Sequence, residues 1–233
     1  FNKINPGGNF ELVDQSSFSK EYEKEFKKNK LIRHIILLKE LNATQLGKDI
    51  FKHLAELNIE NGSEVLAANL ATDVERYDFA IQISKKASYQ KRFYNKFNYP
   101  IIATPNTVNN KVMPKQEIVL AIIRQESEFD KRANSWAGAR GMMQLMKPTA
   151  KIVAKQAKLP YSISGLTQDP EYNIKLGSYY FNGLLEDYNG VFPFAIAAYN
   201  AGPNRVKTWR RVNGDPSKGQ ISYINWIEQI RFE

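Results

Sequence analysis

From Ser19 to about Lys86, apolar and charged residues recur at helical rather than strand spacing. The stretch "SKEYEKEFKKNKLIRHIILLKELN" is charged and then apolar. "NATQLGKDIFKHLAELN" sets Leu46, Ile50, Leu54 and Leu57 three or four residues apart, behind a cap expected at Asn42 or Thr44. "GSEVLAANLATD" and "RYDFAIQISKKA" continue the pattern. This part is therefore expected to fold as a bundle or short superhelix of helical hairpins, without a strict internal period. Residues 87–113 change character, being aromatic and then rich in Pro, Asn and Thr. They are expected to form a connecting segment packed by Phe93, Tyr94, Phe97 and Tyr99, with a domain boundary near residue 98 that separates 1–98 from 99–233. Beyond it, Pro114, Pro148, Pro170 after Asp169 and Pro203 after Gly202 mark helix starts, because the first helical position has no N–H bond to lose. Strand signals are sparse, and the fold class is mainly α.

One residue interrupts the apolar pattern. Projecting residues 115–129 at 100° each places Ile118, Ile122 and Phe129 within about 40° of one another, and Glu126 falls among them. Arg124, Glu128 and Lys131 project to the opposite side, so Glu128 is expected in solvent. Burial disfavours an ionised carboxylate and raises its pKa. A protonated carboxyl near neutrality is the donor that glycoside cleavage requires. On helix geometry alone, a structural ion pair or a cap is the more ordinary explanation for such a glutamate.

Composition narrows the chemistry. The 233 residues contain no cysteine, which excludes disulfides and thiolate catalysis, and only two histidines, His34 and His53, both in helix-like segments. No metal and no cofactor is expected. No apolar run reaches the roughly 18 residues of a membrane span. The chain starts at Phe1, which suggests a processed product or a fragment. The net charge of +9 and pI near 9.5 suit an anionic partner such as nucleic acid, a membrane surface or an acidic wall polymer. A lysine-rich solvated surface fits equally, since the basic residues are spread along the chain and no nucleic-acid module is recognisable.

Two further stretches bear on Glu126. "NSWAGARGMMQLMKPTA", residues 134–150, is a turn punctuated by Gly138 and Gly141, expected to allow close backbone approach, followed by Gln144 and a Pro-started helix. Met142, Met143 and Met146 either line an adaptable groove or pack in the core, and core packing is the commoner role. "AIAAYNAGPNRVKTW", residues 195–209, is a small-residue helix broken at Asn200-Ala201-Gly202, with Tyr199 and Asn200 at the break.

Taken in order, "RQESEFD", then "SWAGARGMMQLMKPTA" beginning nine residues after Glu126, then "AYNAGPNRV", resemble the soluble, lysozyme-like lytic transglycosylases that cleave bacterial peptidoglycan. The resemblance covers roughly residues 99–232. It implies a lysozyme-like catalytic domain, preceded by helices like the linker that joins a long superhelix to that domain. It implies an enzyme in which Glu126 is first acid and then base, cutting the bond from N-acetylmuramic acid to N-acetylglucosamine and leaving a 1,6-anhydro sugar. It also implies that Ser127, Ser135, Met142, Gln144, Met146, Tyr199 and Asn200 contact sugar or support the transition state. The partners implied are glycan strands and muropeptides, with other cell-wall enzymes conceivable, no nucleic acid, and a periplasmic location in a bacterial envelope. In one departure, Arg231 stands where the family has proline, and the following family segment is expected to be missing, which would weaken recognition of stem peptides. Two alternatives stay open. A lysozyme-type muramidase would need a second carboxylate, for which Asp169 and Asp187 are candidates. A helical-repeat peptidoglycan-binding module would need little catalysis.

Overall fold

The computed structural model describes residues 14–231; Phe1–Val13, at the start of the expected first domain, and Phe232-Glu233, at the end of the departing C-terminal stretch, lie outside the described residues. Among the described residues the chain forms thirteen α-helices and one two-stranded hairpin. The fold is mainly α. Contacts divide it into two compact units, residues 1–102 with 123–131 and residues 103–122 with 132–233.

The first unit contains α1 (Lys20–Phe26), α2 (Lys30–Glu40), α3 (Lys48–Glu56), α4 (Ser63–Asp73), α5 (Tyr77–Tyr89) and α6 (Asn95–Asn98). Ser19 and Asn29 cap α1 and α2 by accepting from Tyr22 N and Leu31 N. The residue that precedes α3 is Gly47, with no side-chain cap bond, rather than the expected Asn42 or Thr44. Asn42 turns left-handed after α2, a 3₁₀ turn over Thr44–Gly47 intervenes, and Leu46 is left exposed while Leu54 is fully buried. Helix α4 is the centre of this unit: Ala67, Ala68 and Ala71 are fully buried, and these small side chains let neighbouring helices approach closely. Phe26, Ile35, Phe51, Val65 and Phe79 fill the core around it, each burial worth about 1.5–3 kcal/mol. Glu64, inside that core, accepts from Arg92 Nε and Nη2 at 2.9 Å each and from the Tyr94 hydroxyl at 2.9 Å, so its charge is answered. Of the four aromatics expected to pack the connecting segment, Tyr94 and Phe97 are buried whereas Phe93 and Tyr99 are exposed. The histidines lie on α2 and α3.

The hairpin pairs β1 (Thr107–Val108) with β2 (Lys111–Val112) across Asn109 and Asn110, both left-handed. Two asparagines at positive φ suit the tight turn that joins antiparallel strands. The remaining helices are α7 (Gln116–Ser127), α8 (Lys147–Gln156), α9 (Gly165–Gln168), α10 (Pro170–Asp187), α11 (Phe192–Ala201), α12 (Pro203–Val212) and α13 (Tyr223–Glu228). Helix α7 is counted with the second unit up to Ile122 and with the first from Ile123. The proline punctuation reads well here. Asp169 caps α10 by accepting from Tyr172 N at 3.0 Å, Pro170 and Pro203 are first residues, and Pro148 is the second residue of α8. Pro114 instead precedes α7 by two residues. The second unit's core holds Phe181, Phe194 and Trp226, with Phe194 and Trp226 edge to face at 5.0 Å. Ile118 and Ile122 of α7 pack against it.

Candidate active site

Glu126 is the penultimate residue of α7, on the helix that the apolar spacing predicts. It is half-buried, and among the described residues no hydrogen bond or ion pair reaches its carboxylate. Burial alone pushes its pKa above the ordinary glutamate value. The ion pair or cap that would account for a structural glutamate is thus lacking among the described residues. Ser127 ends the helix, and its Oγ donates to Ile123 O at 3.3 Å.

Glu128 departs from its expected place. The helix stops at Ser127, and Glu128 and Phe129 are both left-handed, with φ of 50° and 67°. Helical projection therefore fails for Glu128, while Phe129 is inward as the projection expects. Glu128 is ion-paired with Lys85 and Arg124, while Phe129 is buried.

In the second unit the Asn134–Met146 stretch is a compact reversal. Ser135 N donates to Ala139 O at 3.0 Å and Ser135 Oγ accepts from Ala139 N at 3.0 Å, leaving Trp136 fully exposed at the tip. Bridges Asn134–Arg140 and Arg140–Leu145 fold the chain back twice. Gly138 and Gly141 both have positive φ, but only Gly141 is also crowded: a Cβ there would overlap Leu166 O and the Asn173 amide. Gly138 is needed for its φ of +89° rather than for close approach. Gln144 is left-handed and folds its Nε2 back to Gly141 O at 2.8 Å. Met142 and Met143 are buried in the core, whereas Met146 is exposed.

Tyr199, near the end of α11, donates its hydroxyl to Met143 O at 2.6 Å and packs its ring on Tyr180 and Phe181 at 5.4 and 5.9 Å. The break that follows, Gly202 at φ 87°, leaves Asn200 exposed. The structure thus brings Tyr199 to the turn that carries Gln144, two motifs more than fifty residues apart in sequence.

Asn173 is the member that sequence reasoning passes over. It is fully buried on α10, where its Oδ1 accepts from Met143 N at 2.8 Å and its Nδ2 donates to Arg140 O and Leu166 O at 3.0 Å each. One amide therefore pins both limbs of the Gln144 turn. Its signal in the sequence is a polar residue at helical spacing from Leu176, Gly177 and Tyr180. Gly177 lets α10 approach the same turn, since a Cβ there would strike Met143.

Among the described residues no cluster of metal-binding side chains occurs, and no helix is long and apolar enough to cross a membrane. Asp169 is exposed and committed as a cap, and Asp187 is exposed.

Comparison with known proteins bears on the same residues. The Transglycosylase SLT domain family matches residues 105–222. The soluble lytic murein transglycosylase of Escherichia coli K12 is 39% identical over 118 residues, which is 50% of this chain and 18% of that protein. A membrane-bound lytic murein transglycosylase F from Aeromonas hydrophila is 34% identical over 119 residues, 48% of this chain and 22% of that protein. The 70 kDa soluble lytic transglycosylase of Escherichia coli superposes with a TM-score of 0.77 at 25% identity, covering 99% of this chain and 36% of that one. An inactive glutamate-to-glutamine mutant of the lytic transglycosylase Slt from Pseudomonas aeruginosa does so at 0.72 and 25%, covering 97% and 36%. The chain spans about a fifth to a third of the length of these relatives. With its mainly α, lysozyme-like architecture and a family match over half its residues, this chain belongs to the Transglycosylase SLT domain family.

Proposed function

We propose that this chain carries the catalytic part of a peptidoglycan lytic transglycosylase, acting in the bacterial periplasm on the bond from N-acetylmuramic acid to N-acetylglucosamine. The observation that carries the reading is Glu126, a half-buried carboxyl without a partner among the described residues, whose pKa burial raises above the ordinary glutamate value. Its family membership and an inactive glutamate-to-glutamine relative support it. The domain organisation that goes with this reading is a helical linker over 1–98 and a catalytic domain over 99–233.

The protonated Glu126 donates to the glycosidic oxygen as the bond to C1 breaks, and positive charge develops at C1. The resulting carboxylate then takes the proton from the muramyl C6 hydroxyl, and that oxygen closes on C1. The proton count returns to its start and no water enters the product. A single carboxyl suffices, whereas a retaining hydrolase needs a second one about 5–5.5 Å from the first. Asp169 is committed as a cap and Asp187 is exposed, so neither commends itself as that partner. Gln144, Ser135 and Asn200 are assigned to hold the sugar and its 2-acetamido group. Tyr199 supports the Gln144 turn through Met143, Met146 offers an exposed apolar contact, and Met142 and Ser127 are assigned supporting roles.

Mass spectrometry of fragments released from purified peptidoglycan tests the reaction. Anhydromuramyl products are expected. Reducing products, heavier by one water, would make the chain a muramidase, and tight binding without release would make it a binding module.

A further inference from the structure

The turn that follows Glu126 is held in an unusual way. A helix that ends in left-handed residues ordinarily does so on glycine or asparagine. Here Glu128 and Phe129 adopt that conformation in succession, and both side chains are tied down by the first unit. Glu128 Oε1 receives Lys85 Nζ of α5 at 3.0 Å and Arg124 Nη1 at 3.3 Å. Arg124 also donates from Nε to Asn98 O of α6 at 2.9 Å. Phe129, 2% exposed, lies 6.3 Å from the Tyr77 ring at the start of α5, and Lys131 pairs with Glu75 at 3.6 Å. Asp130 N closes the turn on Ser127 O at 3.0 Å.

We propose that Glu128 and Phe129 are positioning residues: anchored to α5 and α6, they lock the turn after α7 and so fix the direction in which Glu126 presents its carboxyl. The helical unit is on this view part of the catalytic machinery rather than a spacer. The inference rests on the acid–base role of Glu126. A catalytic group misplaced by about 1 Å costs on the order of a hundredfold in rate, so a loosened turn should act on turnover and not on binding.

The test compares Glu128→Gly with Glu128→Gln on soluble glycan strands, with Glu126→Gln as reference. Glycine relieves the left-handed backbone while releasing both cationic partners, so folding is spared. Glutamine keeps an oxygen for Lys85 and Arg124. Glu128→Gly is expected to lower kcat about tenfold or more with KM within about twofold and melting temperature unchanged or raised. Glu128→Gln should recover most of the turnover. Wild-type kcat in Glu128→Gly beside an inactive Glu126→Gln would overturn the inference while leaving the reaction intact, as would a kcat loss matched by a fall in melting temperature. Activity in Glu126→Gln would instead overturn the reading on which the inference stands.

Discussion

At the scale of single residues, the account turns on where Glu126 keeps its proton. A carboxyl whose pKa is raised by folding holds its proton more tightly in the folded than in the unfolded chain. It costs the fold nothing below the ordinary glutamate range, and its ionisation destabilises the fold as pH rises through the raised value. Replacing Glu126 by glutamine removes that cost. The melting temperature of Glu126→Gln should therefore match wild type near pH 4 and equal or exceed it at pH 7. A variant less stable at pH 7 than at pH 4, relative to wild type, would mean that the carboxylate is a structural anion. The inward direction of Glu126 is legible because apolar residues at 118, 122 and 123 fix the helix phase around it. The fate of Glu128 is not legible. The residues after Ser127 meet Lys85, Arg124 and Tyr77, and only Arg124 is a sequence neighbour.

At the scale of elements, the Gln144 turn is held from two sides. Asn173 of α10 takes one backbone N–H and gives to two carbonyls, while Tyr199 of α11 donates to Met143 O. Exchanging Asn173 for leucine preserves bulk but strips the Met143 N–H and Leu166 O of the Asn173 amide, Arg140 O keeping Leu145 N, at about 1–3 kcal/mol for each group left unsatisfied. Asn173→Leu should lower the melting temperature by at least about 5 °C, followed by circular dichroism. An unchanged value would remove Asn173 from the account. Elements that begin on strong local chemistry are legible, as with Asp169-Pro170 and Gly202-Pro203. The start of α3 is misplaced in the sequence reading because a 3₁₀ turn over Thr44–Gly47 intervenes and Gly47 directly precedes the helix. The buried methionines follow the same rule. Met143 enters the core because Gly177 makes room for it, and that complementarity is not written in either local sequence.

At the scale of the whole molecule, a net charge of +9 favours anionic partners over distances of about a Debye length, roughly 8–10 Å at physiological salt. Composition alone leaves that partner open, since the same charge serves nucleic acid or a solvated surface. The ordered set of motifs around Glu126, Gln144 and Tyr199 selects the family, and the family match over residues 105–222 agrees with it. The reading reduces to one proton on one side chain. The measurement that meets it most directly is the release of soluble fragments from purified peptidoglycan by wild type and Glu126→Gln, with melting temperatures taken on the same samples. The account predicts anhydromuramyl fragments from wild type, none from the variant, and no loss of melting temperature. Fragments released by Glu126→Gln at the wild-type rate, or activity lost together with the fold, would contradict it.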